Sequence, residues 1–153
     1  MIDIRGTLPG LYFAAPLFSV AELNFNLQIT TSLEKVFDVY LPQRDGGLLV
    51  DLVSKGVSLS GAYDSIFQRD IFALRACDVC FIVLDGRSVD EGAAFELGYA
   101  YAHGKTCVGL QTDPRRLVPL GNNPMLQCAL TEVFFDIASV MAWVERFASL
   151  RQV

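Results

Sequence analysis

The sequence predicts an α/β fold, a doubly wound five-stranded parallel sheet of the flavodoxin-like or Rossmann-like kind with helices on both faces. Three observations predict it. Short apolar runs alternate with helical patterns, several runs are flanked by glycine or proline, and residues 79–84 are apolar throughout. A continuously apolar run is typical of a central parallel strand, because both of its faces are buried. With no linker or internal repeat, residues 1–153 are expected to form one domain.

The first third of the chain is expected to contain two strands, at residues 11–15 and 36–41. Ser19 and Glu22 have the spacing of a capping box, which predicts that a helix begins there. This helix is expected to run to about Lys35, just before the second strand. Residues 43–61 hold several glycines. We expect them to form a long, partly helical excursion of the kind that often carries function.

The remaining elements continue the alternation. The patterns predict a helix at 63–76, strands at 79–84 and 106–110 with a helix at 90–103 between them, a strand at 132–136 and a helix at 137–150. In such sheets ligands bind at the carboxyl ends of the strands. Candidate site residues should therefore follow the first three strands, at residues 16–18, 42–46 and 85–96.

The composition excludes several classes of protein. The net charge is −5 and the twelve Lys and Arg residues are scattered, which argues against a nucleic-acid binder. No apolar stretch reaches the roughly 20 residues that a membrane span needs. The N-terminus lacks the pattern of a secretory signal, so we expect a cytoplasmic protein with reduced thiols.

Cys77 and Cys80 have the CxxC spacing of a redox pair or of half a zinc site. No second CxxC exists, and His103 is the only histidine. The spacing therefore favours two core residues over a metal or redox site.

The common nucleotide and hydrolase motifs are missing. The chain has no GxGxxG after the first strand, no GxxxxGK[ST] and no GxSxG. What remains is a set of carboxylates, which suggests acetal-type chemistry: one carboxylate attacks or stabilises an anomeric carbon while another moves a proton.

Glu96 is the most informative carboxylate. It lies in the apolar helical run AAFELGYA (residues 93–100), where no Lys or Arg stands three or four residues away to neutralise it. A buried, unpaired carboxylate costs several kcal/mol, which suggests that it is used. The alternative is that Glu96 points into solvent. Asp90 is equally consistent with a helix N-cap, and Asp70 with a surface charge.

Taken together, these residues resemble the nucleoside 2-deoxyribosyltransferase family. The resemblance spans four segments: LYFAAPLF (11–18), Asp70 before Ile71, Asp90 with Gly92 and ELGYA (96–100), and NPM (123–125). The segment around Glu96 is the most specific of the four. The segment RDGG (44–47) also resembles one branch of that family.

The resemblance implies the roles of the catalytic residues. Glu96 matches the nucleophile, and Tyr12 matches the tyrosine that orients it. Asp70 matches an aspartate that contacts the base, and Asp90 matches one assigned to base binding and proton transfer. The implied reaction is a ping-pong transfer of 2-deoxyribose between bases through an ester on Glu96, with slow hydrolysis as a side activity, and it needs no cofactor or metal.

The resemblance also implies the substrates and partners. Deoxynucleosides and free purine or pyrimidine bases would be bound at Phe13, Pro16, Phe18, Asp45, Gly46, Asp70, Gly92, Asn123 and Met125. The rings of three aromatic residues could stack on a base, although each is also consistent with a core position: Phe13, Phe18 and Phe95. The family forms dimers that assemble into tetramers or hexamers, and its Asn-x-Met-like segment reaches a neighbouring active site. We therefore expect a homo-oligomer with shared sites.

Two other functions remain open. A nucleotide N-glycosidase that hydrolyses nucleoside or deoxynucleoside 5′-monophosphates would share the fold and the glutamate. It would also need hydroxyl and backbone N–H groups that bind a phosphate. A non-catalytic nucleotide-sensing module is the third candidate.

Overall fold

A computed structural model describes residues 8–115 and 121–150, and it contains the predicted parallel sheet. Five strands lie in the order β2-β1-β3-β4-β5, and every neighbouring pair is parallel. The strands are β1 (Gly10–Ala14), β2 (Asp38–Tyr40), β3 (Val79–Val83), β4 (Thr106–Leu110) and β5 (Glu132–Phe134). The α/β prediction is therefore confirmed.

Six α-helices accompany the strands in the described part of the chain, five of them between strands and one after β5. They are α1 (Val20–Leu33), α2 (Leu49–Ser54), α3 (Leu59–Ala76), α4 (Glu91–Ala102), α5 (Pro124–Gln127) and α6 (Ile137–Leu150). A π-helical turn, Pro42–Gly46, follows β2. None of the helices among the described residues is long and apolar enough to cross a membrane.

Each face of the sheet carries its own hydrophobic core, and β1 contributes alternate side chains to the two cores. Leu11 and Phe13 belong to the core that includes Trp143 of α6 and Ile29 of α1. Tyr12 and its alternate neighbours belong to the other core, together with residues of α3 and α4. Successive side chains of a strand point to opposite faces, so the sheet places Tyr12 on the side of α3 and α4.

Several local predictions are confirmed. The Ser19 hydroxyl accepts from the Glu22 amide, and the Glu22 carboxylate accepts from the Ser19 amide at 2.7 Å, which completes the capping box. Cys77 and Cys80 are both buried in the core beside α3 and α4.

The prediction was less accurate between β2 and α3. β2 begins at Asp38, because Val36 and Phe37 lie in the turn that ends α1. The helix expected from residue 63 begins at Leu59, since the Ser58 hydroxyl caps it by accepting from the Gly61 amide. The short helix α5 was not predicted.

A pair of side-chain amides, one buried and one half-buried, joins the loops that follow β1 and β2. The Asn26 side chain on α1 is buried and donates to the Pro16 carbonyl and to Gln43 Oε1, both at 2.9 Å. Gln43 in turn donates to the Leu23 carbonyl at 3.0 Å. These bonds hold two strand-end loops against one helix at the edge of the sheet where ligands are expected.

Asn26→Ala should destabilise the fold by about 1–3 kcal/mol, because it leaves the Pro16 carbonyl and the Gln43 side-chain oxygen without their donor. Asn24→Ala is the matched control, since Asn24 lies on the same helix but is exposed. Urea unfolding of both variants measures the difference. Equal free energies of unfolding would contradict the role given to this amide pair.

Candidate active site

The site is organised around a hydrogen bond between β1 and α4. The Tyr12 hydroxyl donates to Glu96 Oε1 at 2.6 Å. Tyr12 is fully buried and Glu96 is half-buried. The sheet thus fixes the donor while the helix presents the carboxylate to it, so Glu96 does not point freely into solvent.

The surroundings of Glu96 disfavour its charged form. Within the described residues no Lys or Arg forms an ion pair with it. Burial raises the pKa of Glu96 to about 8, and the negative charges of Asp70 and Asp90 add to the rise, while the Tyr12 hydrogen bond opposes it. A strongly shifted carboxyl in a cleft is a candidate for catalysis.

Asp70 lies on α3, across the cavity from α4. It is half-buried, and its Oδ1 accepts from the Tyr40 hydroxyl at 2.8 Å. Burial raises the pKa of Asp70, whereas the Tyr40 hydrogen bond and the nearby Arg69 charge oppose the rise. Asp70 is therefore not a solvated surface charge.

Asp90 is the N-cap of α4. Its Oδ2 accepts from the Ala93 amide at 2.9 Å, which stabilises the start of the helix. The same carboxylate contributes to the electrostatic environment of Glu96. A capping role and a functional role are therefore compatible at this position.

A cavity of about 440 Å³ opens beside Glu96. This volume lies within the usual range for small-molecule sites, roughly 300–1,000 Å³. The walls are mostly apolar and aromatic, and the two carboxylates lie among them. The lining residues are Leu49, Tyr63, Ile66, Phe67, Asp70, Ile71, Leu74, Gly92, Phe95 and Glu96.

The structure does not bring every predicted substrate residue to this cavity. Phe13 is fully buried on the opposite face of the sheet, where its ring stacks on Phe81 with centroids 5.3 Å apart. Phe13 is therefore a core residue in this structure, on the face of the sheet away from the cavity. Pro16 lies in the loop after β1, and Phe18 is 78% exposed.

The two predicted residues of the turn after β2 differ in their placement. Asp45 accepts from the Leu41 amide at 2.8 Å and pairs with Arg44 at 2.9 Å, so its carboxylate holds the turn together. Gly46 lies against the site, since a Cβ there would be 3.0 Å from Asp70 Oδ1.

Asn123 and Met125 lie away from the cavity beside Glu96. Asn123 caps α5 by accepting from the Met125 amide at 2.9 Å, and it lines a separate cavity of about 270 Å³. Met125 is 82% exposed. Within one chain these two side chains do not reach the cavity.

The sequence analysis did not identify Tyr40 as a candidate functional residue. It also did not identify Tyr63 and Phe67, which line the cavity. Tyr40 is the last residue of β2, and its ring stacks on that of Tyr12 with centroids 5.4 Å apart. Its position at a strand end before Pro42 is a signal that could have drawn attention to it.

A family model described as nucleoside 2-deoxyribosyltransferase matches residues 11–146. The chain belongs to this family. The match includes Tyr12, Asp70, Asp90 and Glu96, so the geometry described above falls inside the matched region. No curated protein matches the chain by sequence.

Solved structures share the fold across nearly the whole chain. A conserved protein from Enterococcus faecalis is 24% identical, with a TM-score of 0.75, over 92% of this chain and 99% of its own. A 2-deoxyribosyltransferase from Bacillus psychrosaccharolyticus is 21% identical, with a TM-score of 0.68, over 88% and 95%. A 2-deoxyribosyltransferase from Leishmania mexicana is 26% identical, with a TM-score of 0.59, over 90% and 97%.

Glu96→Gln should stabilise the protein at high pH. A carboxyl whose pKa is raised by folding costs nothing below its unfolded value near 4.5, and it destabilises the fold as the pH rises towards about 8. The gain in melting temperature should therefore be absent near pH 4.5 and largest near pH 9. Thermal melts across this range, with Glu91→Gln as the exposed control on α4, measure it. A gain that is independent of pH would contradict the shifted pKa.

Proposed function

We propose that this protein is a nucleoside 2′-deoxyribosyltransferase that moves 2-deoxyribose between bases through a covalent intermediate on Glu96. The observation that carries the proposal is the 2.6 Å hydrogen bond from Tyr12 to Glu96 at the wall of an apolar cavity. The donor binds one carboxylate oxygen and leaves the other to attack.

In the first half-reaction Glu96 Oε2 attacks C1′ of a 2′-deoxynucleoside. A carbon–oxygen bond forms as the N-glycosidic bond breaks, and the electron pair of that bond goes to the base nitrogen. The departing base takes up a proton through Asp70 or Asp90. The product is a deoxyribosyl ester of Glu96 and a free base.

In the second half-reaction a nitrogen of another base attacks C1′ of the ester. The carbon–oxygen bond breaks, its electron pair returns to Glu96, and the incoming base gives up a proton. Two inversions give net retention at the anomeric carbon, as in retaining glycosidases. Water in place of the base would give slow hydrolysis. These steps use side-chain carboxylates alone and call for no cofactor or metal.

The position of Asn123 and Met125 supports a shared site. In one chain both lie outside the cavity, and Met125 is exposed. In the proposed homo-oligomer, a dimer assembled into a tetramer or hexamer, they would meet the sugar 5′ side in a neighbouring copy. Membership of the family supports the further proposal that the protein acts in nucleoside salvage in the cytoplasm.

The electrostatics favour nucleosides over 5′-monophosphates. The N-terminus of α4 is the helix start closest in sequence to Glu96, and a free helix N-terminus is a common phosphate site. Here the Asp90 carboxylate already occupies it. A phosphate would meet the negative charge of Asp90 there, close to the second carboxylate, Asp70.

The first test is detection of the ester. Incubation with deoxyinosine, without an acceptor base, should add the mass of one deoxyribosyl group to the protein. Glu96→Ala should abolish the adduct and lower transfer by at least about a thousandfold, because the nucleophile is lost. Glu91→Gln should behave like the wild type. A variant lacking Glu96 that still transfers the sugar would overturn the proposal, and a wild type with neither adduct nor turnover would favour a sensing module.

The second test separates the transferase from a nucleotide hydrolase. The protein is incubated with deoxyinosine plus adenine and, separately, with deoxyinosine 5′-monophosphate. We expect deoxyadenosine from the first mixture at a higher kcat/KM than hypoxanthine release from the second. Chromatography of the products measures both rates. Faster hydrolysis of the monophosphate would contradict the transferase assignment.

A further inference from the structure

Two tyrosines from neighbouring strands bind two different carboxylates of the site. Tyr12 and Tyr40 are register partners in the β1–β2 pair. Their rings stack with centroids 5.4 Å apart and planes 21° from parallel. Tyr12 donates to Glu96, and Tyr40 donates to Asp70.

The hydroxyl of Tyr40 occupies only one oxygen of Asp70. Oδ1 accepts the hydrogen bond at 2.8 Å, and within the described part of the chain no donor binds Oδ2. Asp70 lines the cavity beside Glu96. Fixing Oδ1 therefore sets the rotation of the carboxylate and leaves Oδ2 available to a ligand.

The turn after β2 is shaped to fit this pair. A Cβ on Gly46 would lie 3.0 Å from Asp70 Oδ1 and 3.3 Å from the Tyr40 hydroxyl, which is tighter than ordinary contact. The Gly46 carbonyl accepts from Arg69 Nη1 at 3.1 Å, and this hydrogen bond links the turn to α3. The absence of a side chain at Gly46 lets the turn close over the hydrogen bond.

We propose that Tyr40 is a positioning residue that orients Asp70 so that its free oxygen binds an N–H group of the base. This inference rests on the proposed function, because it takes Asp70 to contact the base. Loss of the Tyr40 hydroxyl alone leaves the ring stacked on Tyr12 and leaves the Asp70 carboxylate in place for proton transfer. It should therefore weaken base binding more than it slows the chemical step.

The kinetic test uses Tyr40→Phe, which keeps the stacked ring and removes only the hydroxyl. With deoxyinosine as donor, the KM for free adenine should rise about tenfold, as expected for one lost hydrogen bond to a charged group, while kcat changes little. Tyr101→Phe is the control, because Tyr101 is an exposed tyrosine on α4. A fall in kcat with an unchanged KM would overturn the proposal.

A double-mutant cycle tests whether Tyr40 acts through Asp70. In an Asp70→Asn background the further change Tyr40→Phe should have little effect on the KM for adenine, because the carboxylate it orients is gone. Gly46→Ala should raise the KM for adenine in the same direction as Tyr40→Phe, since the added methyl group crowds both partners of this hydrogen bond. Equal effects of Tyr40→Phe in both backgrounds would refute the coupling.

A measurement without turnover separates this proposal from the proposed function. Carbon-13 NMR of the Asp70 carboxyl should show a higher pKa in Tyr40→Phe and in Gly46→Ala than in the wild type or Tyr101→Phe, because a hydrogen bond that favours the ionised form is lost. The charge of Arg69 and the titratable side chain of Glu96 remain next to Asp70 in all four proteins. An unchanged titration refutes the positioning role even if transfer is observed. Absence of transfer alongside a shifted titration refutes the proposed function but leaves the Tyr40–Asp70 contact established.

Discussion

The site depends on the hydrogen bond between Tyr12 and Glu96. A carboxylate buried among apolar groups without a partner costs several kcal/mol, and α4 supplies no cation. A phenol offsets part of that cost while binding a single oxygen. A bidentate arginine would satisfy both oxygens and hold the pKa of the carboxyl low. A tyrosine leaves one oxygen free and the pKa raised, which suits a nucleophile.

The register of β1 and β2 extends this arrangement to a second carboxylate. In parallel strands, residues in register point to the same face, so Tyr12 and Tyr40 both project toward α3 and α4. Asp70 and Glu96 lie on those two helices. One strand pairing thus fixes two phenol–carboxylate contacts, and a shift of one residue would turn Tyr40 to the opposite face.

Much of the architecture could be predicted because local signals report it. The capping box at Ser19 and the apolar run of β3 depend on nearby residues alone. The face of β1 could not be predicted, since a strand buried on both sides has no polar alternation to separate Tyr12 from Phe13. Tyr40 was missed for a related reason: its importance arises from contacts with Tyr12 and Asp70, which only the sheet order brings together.

The burial of Glu96, together with the two carboxylates near it, has a chemical consequence. Because its pKa is raised to about 8, Glu96 is mostly neutral in the free protein at pH 7. The ionised form is more basic than an ordinary carboxylate, and nucleophilic reactivity rises with basicity. In the proposed mechanism, fewer molecules carry an ionised Glu96, but each ionised Glu96 is a stronger nucleophile. Asp70 and Asp90 both contribute to that shift, so the residues proposed to carry protons also tune the nucleophile, and their substitution should not act on proton transfer alone.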